Sequence, residues 1–180
     1  MKKFLATFIF SSLTLWVLAQ AYTPVNDGSK VKFVIKNFGI KTGGTFGGPE
    51  GIINFNPADP TAAAFDVSVD AKTVDTDMES RDNHLRKEEF FNVEKFPKIN
   101  FKSSKVTKTN STGFLYMFGN ITIKGVSKEI KFPFKVTPKD GGYFFEGNFK
   151  LNRRDFGVGG GSISLSDELI VTLSVFAKKN

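Results

Sequence analysis

Phe65-Asp66-Val67-Ser68-Val69-Asp70-Ala71-Lys72 alternates apolar and polar side chains without interruption. A period of two places Phe65, Val67, Val69 and Ala71 on one face of an extended strand, and Asp66, Ser68, Asp70 and Lys72 on the other. The same pattern recurs on both sides of this stretch. Val31, Phe33 and Ile35 share a face, Ile99 and Phe101 alternate with Lys98, Asn100 and Lys102, and Ile130, Phe132, Phe134 and Val136 alternate with Lys131, Pro133, Lys135 and Thr137. Leu169, Val171, Leu173, Val175 and Ala177 form the longest apolar face. Turn chemistry separates the runs at Asn56-Pro57-Ala58-Asp59-Pro60, Lys108-Thr109-Asn110-Ser111, Lys139-Asp140-Gly141-Gly142 and Gly157 to Gly161. The reading is an antiparallel, all-β domain of roughly eight strands at hairpin-like spacing.

Glycines fall within or beside these strands at Gly43, Gly44, Gly47, Gly48 and Gly51, and again at Gly119 and Gly147. Such glycines mark the bulges and bends a sheet needs in order to close on itself. About eight strands make a barrel whose interior holds side chains or one small ligand. The chain carries 21 phenylalanines in 180 residues, and flat rings suit the wall of an elongated apolar cavity. An eight-stranded barrel with a lumen is therefore expected; the alternative is that the rings fill a solid core. One stretch departs from the pattern. Thr76-Asp77-Met78-Glu79 has capping-box spacing, with Thr76 as N-cap and Glu79 at N3, and predicts a short helix from Asp77 to Glu89. Glu88 stands four residues after His84, a pairing distance. Phe90, Phe91, Val93 and Phe96 follow as an apolar clasp, which puts the helix over one mouth of the barrel.

Composition narrows the chemistry. There is no cysteine, which removes disulfides, thiolate metal sites and thiol nucleophiles, and a single histidine, which removes any site with two histidine ligands. Asp75, Asp77 and Asp82 fit no metal-loop spacing and read as a solvated acidic turn. No metal or other cofactor is expected. At the amino terminus, Lys2 and Lys3 precede an apolar run from Phe4 to Leu18 that ends in Ala19-Gln20-Ala21. This is the pattern of a secretory signal peptide over 1–21, with cleavage before Tyr22 and a folded domain over 22–180. Export to the periplasm or beyond is the expectation, and loss of Lys2 and Lys3 lowers the formal charge from +7 to +5.

Several segments taken together resemble the YceI-like family. They are Ser80-Arg81-Asp82-Asn83-His84-Leu85-Arg86 with Phe90-Phe91 and Phe96-Pro97-Lys98-Ile99-Asn100-Phe101, Gly44-Thr45-Phe46 ahead of Gly51-Ile52-Ile53-Asn54-Phe55-Asn56-Pro57, Gly119 to Val126, and Asn152-Arg153-Arg154-Asp155-Phe156-Gly157-Val158. The resemblance implies a lipocalin-like barrel with a small helix, exported to the periplasm, that binds isoprenoid or fatty-acid-like amphiphiles and shares no common catalytic chemistry. Many relatives carry histidines just before the first-strand serine and at that strand's end. Here those positions are Gly28 and Asn37, so any head-group contact must be made differently.

The leading expectation is a non-enzymatic carrier, because burying an isoprenoid or acyl tail gains about 25 cal/mol per Å² and needs few directed contacts. Candidate head-group residues are Arg81, Asn83, His84 and Asn37; candidate lumen residues are Phe33, Ile35, Val67, Val69, Ile99, Phe101, Phe132, Phe134, Leu173 and Val175. Arg154 and Asp155 are expected to organise the Gly157 to Gly161 turn. A second reading is an enzyme acting on a lipid with His84 as general base. A third is a basic surface protein with a solid core. Lys32, Lys36, Lys98, Lys102, Lys131 and Lys135 alternate with the apolar face as solvated positions do, so nucleic acid is not an expected partner; an anionic membrane surface is. Phe114, Tyr116 and Phe118 lie opposite Leu115, Met117 and Ile121, so this strand is apolar on both faces and calls for cover by the helical clasp or by a second subunit in a homodimer.

Overall fold

The structure, a computed structural model, describes residues 20–180; the expected leader lies outside them except for Gln20 and Ala21. Period-two alternation becomes β1 (Gln20–Pro24), β2 (Lys30–Asn37), β3 (Ile40–Phe46), β4 (Glu50–Phe55), β5 (Ala64–Asp70), β6 (Lys98–Lys108), β7 (Phe114–Ile123), β8 (Val126–Lys139), β9 (Gly142–Asn152) and β10 (Leu165–Lys179), all paired antiparallel. The sheet closes because β10 pairs with β9 along one edge and with both β2 and β1 along the other.

Ten segments make an eight-strand barrel because two long strands are each broken once. β1 and β2 occupy successive stretches of the same edge of β10, with Tyr22 opposite Lys179 and Val31 opposite Leu173. β4 and β3 follow them one position further round. At the first break the Ser29 hydroxyl donates to Val25 O and accepts from Phe176 N–H at 3.0 Å, replacing the missing ladder bonds. The second break is tied to the first, since Asn26 Oδ1 accepts from Gly48 N–H at 2.9 Å. β4 pairs with β5 but β3 does not; β3 meets instead the segment after β5, through a bridge between Thr45 and Asp75. Gly44 permits this approach: a Cβ there would lie 2.3 Å from Asp75 O.

That segment carries the helix, α1 (Glu79–Arg86). It is shorter than the sequence predicts, and Thr76 does not cap it. Asp77 takes a φ of 59°, which turns the chain before the helix begins and makes Met78 the N-cap residue. The Thr76 amide and hydroxyl donate instead to the buried Asp82 carboxylate, at 2.9 and 2.5 Å. Hydrogen bonds to an ionised acceptor are stronger than the neutral cap they replace. Past Arg86, bonds from Phe91 N–H to Leu85 O and Val93 N–H to Arg86 O fold the chain back as the clasp.

Rings divide the interior into two parts. At the end away from α1, Phe55, Phe65, Phe134 and Phe145 meet edge to face at 5.3–5.7 Å, and Tyr22 and Tyr143 pack beside them. Burial and the neighbouring Tyr143 push the Tyr22 hydroxyl's pKa up. At the α1 end, Phe46, Val69 and Val74 form a smaller cluster against Phe33, Leu85 and Phe91. The lysines that alternate with the apolar face, Lys32, Lys98, Lys102, Lys131 and Lys135, are exposed as the pattern requires. The outward ridge of β7 is not covered by the clasp, which packs on Phe46 and Gly159. Phe114 is 43% exposed, while Tyr116 and Phe118 are half-buried against one another.

Candidate ligand-binding cavity

Between the ring-filled end and the clasp lies a cavity of about 510 Å³, within the range that encloses a small molecule. Phe33, Ile35, Val67, Val69, Ile99, Phe101, Phe132, Phe134, Leu173 and Val175 all line it, joined by Val31, Leu85, Phe90, Phe91, Leu169 and Val171. Phenylalanine thus plays both roles that were open in the sequence: some rings fill one end, others wall a space at the other.

The mouth is built by three segments that the sequence keeps far apart. The β2–β3 hairpin supplies Asn37 and Thr42, α1 supplies Arg81 and His84, and the loop before β10 supplies Ser162 and Ser164. Arg81 is half-buried; its Nε donates to Thr76 Oγ1 at 2.8 Å, Nη2 to Thr76 O at 2.6 Å and Nη1 weakly to Thr42 Oγ1 at 3.4 Å. Thr76 passes the interaction on to Asp82. Arg81 makes no salt bridge among the described residues, so its positive charge is oriented at the mouth without a carboxylate partner.

Asn83 does not join this group. It is exposed, and its side chain accepts from Arg86 Nη1 at 2.8 Å. Arg86 in turn donates to Lys72 O and Val74 O, clamping the helix to the preceding segment. His84 stands on the rim with its side chain 52% exposed, Nδ1 3.5 Å from Glu89 and its ring 4.9 Å from Phe90. The partner is Glu89 rather than Glu88 because the helix ends at Arg86, and the spacing rule no longer applies beyond it. The two positions at which the family resemblance implies histidine lie apart: Asn37 lines the cavity, whereas Gly28 sits at the other end of β2, near Lys139 and Phe144.

The turn after β9 is organised chiefly by Arg153, with Arg154 contributing its carbonyl, which accepts from Gly157 N–H at 3.1 Å, and a guanidinium that lies against Gly161. Arg153 is 4% exposed, and its guanidinium donates to Ser166 O, Val158 O and Gly160 O and pairs with Asp167 at 2.7 Å. Gly159 lies against Phe90 and donates to Glu89 O at 2.7 Å, which latches this loop onto the clasp. Arg153 sits beside Arg154 in a single turn where Asn152 Oδ1 accepts from Arg154 N–H. Two adjacent arginines give no periodic signal of which one turns inward. Thr42 had a signal: it pairs with Ile35, and cross-strand partners share a face.

A closed antiparallel barrel around an apolar cavity with one polar end defines a cavity-bearing barrel protein. The chain belongs to the YceI-like domain family, whose model matches residues 22–177. It is 33% identical to protein YceI of Salmonella agona over 193 aligned positions, covering 99% of this chain and all of that one. It is 35% identical to a UPF0312 protein of Yersinia enterocolitica over 152 positions, covering 81% of this chain and 78% of the relative. Among solved structures, the YceI protein of Campylobacter jejuni aligns at a TM-score of 0.67 with 31% identity over 76% of this chain and 84% of its own. A polyisoprenoid-binding domain from Saccharophagus degradans shares the fold at a TM-score of 0.70 and 13% identity, covering 91% of this chain and 99% of its own.

Proposed function

We propose that the protein binds and carries a long-chain isoprenoid or fatty-acid-like amphiphile in the barrel lumen, without converting it, in the periplasm after removal of residues 1–21. The observation that carries this reading is the cavity itself: about 510 Å³ walled mostly by aliphatic and aromatic residues, with Asn37, Thr42, Thr76, Arg81 and His84 among its lining at the α1 end. A tail laid along the wall gains about 0.8 kcal/mol per buried methylene, and the mouth is left to select the head group. The description of the Saccharophagus degradans domain as polyisoprenoid-binding accords with this reading.

The test is native mass spectrometry of the protein purified without detergent from its own host, followed by organic extraction. A discrete, stoichiometric mass increment that extracts as an isoprenoid or acyl amphiphile is expected. An apo mass that accepts no long-chain ligand on titration overturns the reading. The enzymatic alternative, with His84 as general base, has a separate signature: turnover of a lipid substrate that His84→Ala abolishes.

A further inference from the structure

The hairpin joining β2 to β3 breaks two local rules at once. Asn37 pairs with Ile40, so Phe38 and Gly39 are the whole turn, and both have positive φ, 49° and 76°. Such two-residue turns favour Asn-Gly or Asp-Gly, because a bulky side chain is strained in the left-handed region. Here the strained position holds phenylalanine, and packing offers no compensation: Phe38 is 78% exposed. The next pair along the hairpin, Lys36 with Lys41, sets two exposed like charges directly opposite one another, an unfavourable cross-strand arrangement. Neither lysine has a salt-bridge partner among the described residues.

Ile40, 71% exposed, shares this tip, and Ile163 joins it from the loop before β10, fully exposed. Phe38 N–H donates to Ser164 O at 2.8 Å, which fixes the loop beside the hairpin. The residues flanking these apolar tips, Asn37 and Ser164, line the cavity. The acidic groups nearest the hairpin, Asp167 and Glu168 in the bulge of β10 beside Lys36, pair with Arg153 and Lys150, and Asp75, Asp77 and Glu79 belong to the segment around α1. Apolar tips above a pair of unpaired lysines, at the lip of an apolar cavity, match an interface that is apolar within and negatively charged at its surface.

We propose that the β2–β3 hairpin and the loop before β10 dock the mouth onto a bilayer surface bearing anionic phospholipids, with Phe38, Ile40 and Ile163 inserted and Lys36 and Lys41 at the headgroups. Strain at Phe38 and repulsion between the lysines are then both offset on docking, as expected where local rules are broken at a functional site. The proposal rests on the carrier reading for its purpose but is tested apart from it.

The experiment is flotation of the protein with vesicles of phosphatidylethanolamine and phosphatidylglycerol, against phosphatidylcholine vesicles, alongside uptake of a long-chain ligand supplied from solution without lipid. Binding to the anionic vesicles is expected. Phe38→Asn with Ile163→Ser should weaken it about ten-fold or more, by removing two large inserted apolar side chains. Lys36→Gln and Lys41→Gln should each cost about five-fold on the anionic vesicles and little on the neutral ones. Asparagine suits the left-handed turn, so the Phe38→Asn hairpin keeps or gains thermal stability, and lost vesicle binding cannot be laid to misfolding. Absence of vesicle binding by the unaltered protein, or undiminished binding by the Phe38→Asn, Ile163→Ser variant, overturns the proposal. Vesicle binding without ligand uptake would sink the carrier reading and leave the docking surface standing; ligand uptake without vesicle binding does the reverse.

Discussion

The Arg81 guanidinium donates to Thr76 and Thr42, and neither partner carries a negative charge. In the proposed carrier, a charge oriented in this way would select an acidic head group. Arg81→Gln is therefore expected to lower affinity for a long-chain acid about ten-fold or more, since a hydrogen bond to a charged group contributes about 1.5–3 kcal/mol. Affinity for the corresponding long-chain alcohol should hold, and calorimetric titration of both ligands separates the cases. Equal losses for acid and alcohol would place the head group elsewhere. Arg153 invites a stability prediction instead. Arg153→Met strips the buried Val158 carbonyl and the part-buried carbonyls of Gly160 and Ser166 of their donor and should cost about 3 kcal/mol in urea denaturation, whereas Arg154→Met should stay within about 0.5 kcal/mol. At this scale the sequence was legible where period two applies, because Phe33, Val67 and Leu173 can face only one way on their strands. It was not legible for Arg153 against Arg154 or for Asn83 against Arg81, where a single turn of chain and its capping bonds decide which neighbour points inward.

Strands and their faces follow from alternation, but the breaks in them do not. The interruptions at 25–29 and 47–49 depend on bonds that Ser29 accepts from Phe176 N–H and Asn26 accepts from Gly48 N–H, partners remote in sequence or lying within the other break. Nor does spacing distinguish a capping box from the arrangement found, in which Asp82 reaches back to claim Thr76. The element scale also carries a pH prediction. Glu50 on β4 accepts hydrogen bonds from Lys98 on β6 and from Ser68 on the strand between, and these hold its carboxyl below the usual range. A carboxylate depressed in the folded state adds stability above its unfolded pKa and loses that contribution as pH falls through the folded value. In a carboxyl NMR titration Glu50 should therefore titrate below an unperturbed glutamate, and Lys98→Met should move it back up. An unchanged midpoint in the variant would remove Lys98 as the cause.

For the molecule as a whole, cavity size sets a limit that a ligand series reads directly. Affinity for straight-chain acids should rise about two- to four-fold per methylene and then level off once the cavity is filled. A series with no dependence on length would mean that the tail does not enter. The outward β7 ridge raises a separate expectation, a homodimer joined through Phe114, Tyr116 and Phe118. Sedimentation equilibrium at micromolar concentration should give twice the chain mass, and Phe118→Lys should halve it; a monomeric mass for the unaltered chain ends that idea. The barrel's overall outline was the most legible feature of all, since closure needs only enough alternating strands and glycines at the bends.

The ring-packed end has a consequence for the order of events. In the proposed carrier, the rings of Phe55, Phe65, Phe134 and Phe145 stand at the end away from α1, so a cargo whose polar end rests at Arg81 would enter tail foremost and depart head foremost. A receiver of such a cargo would meet the head group first and would have to draw the chain out against the full grip of the walls. Such a vessel is also a ruler: tails shorter than its depth leave a gap beneath them, and longer ones stand out above the lip.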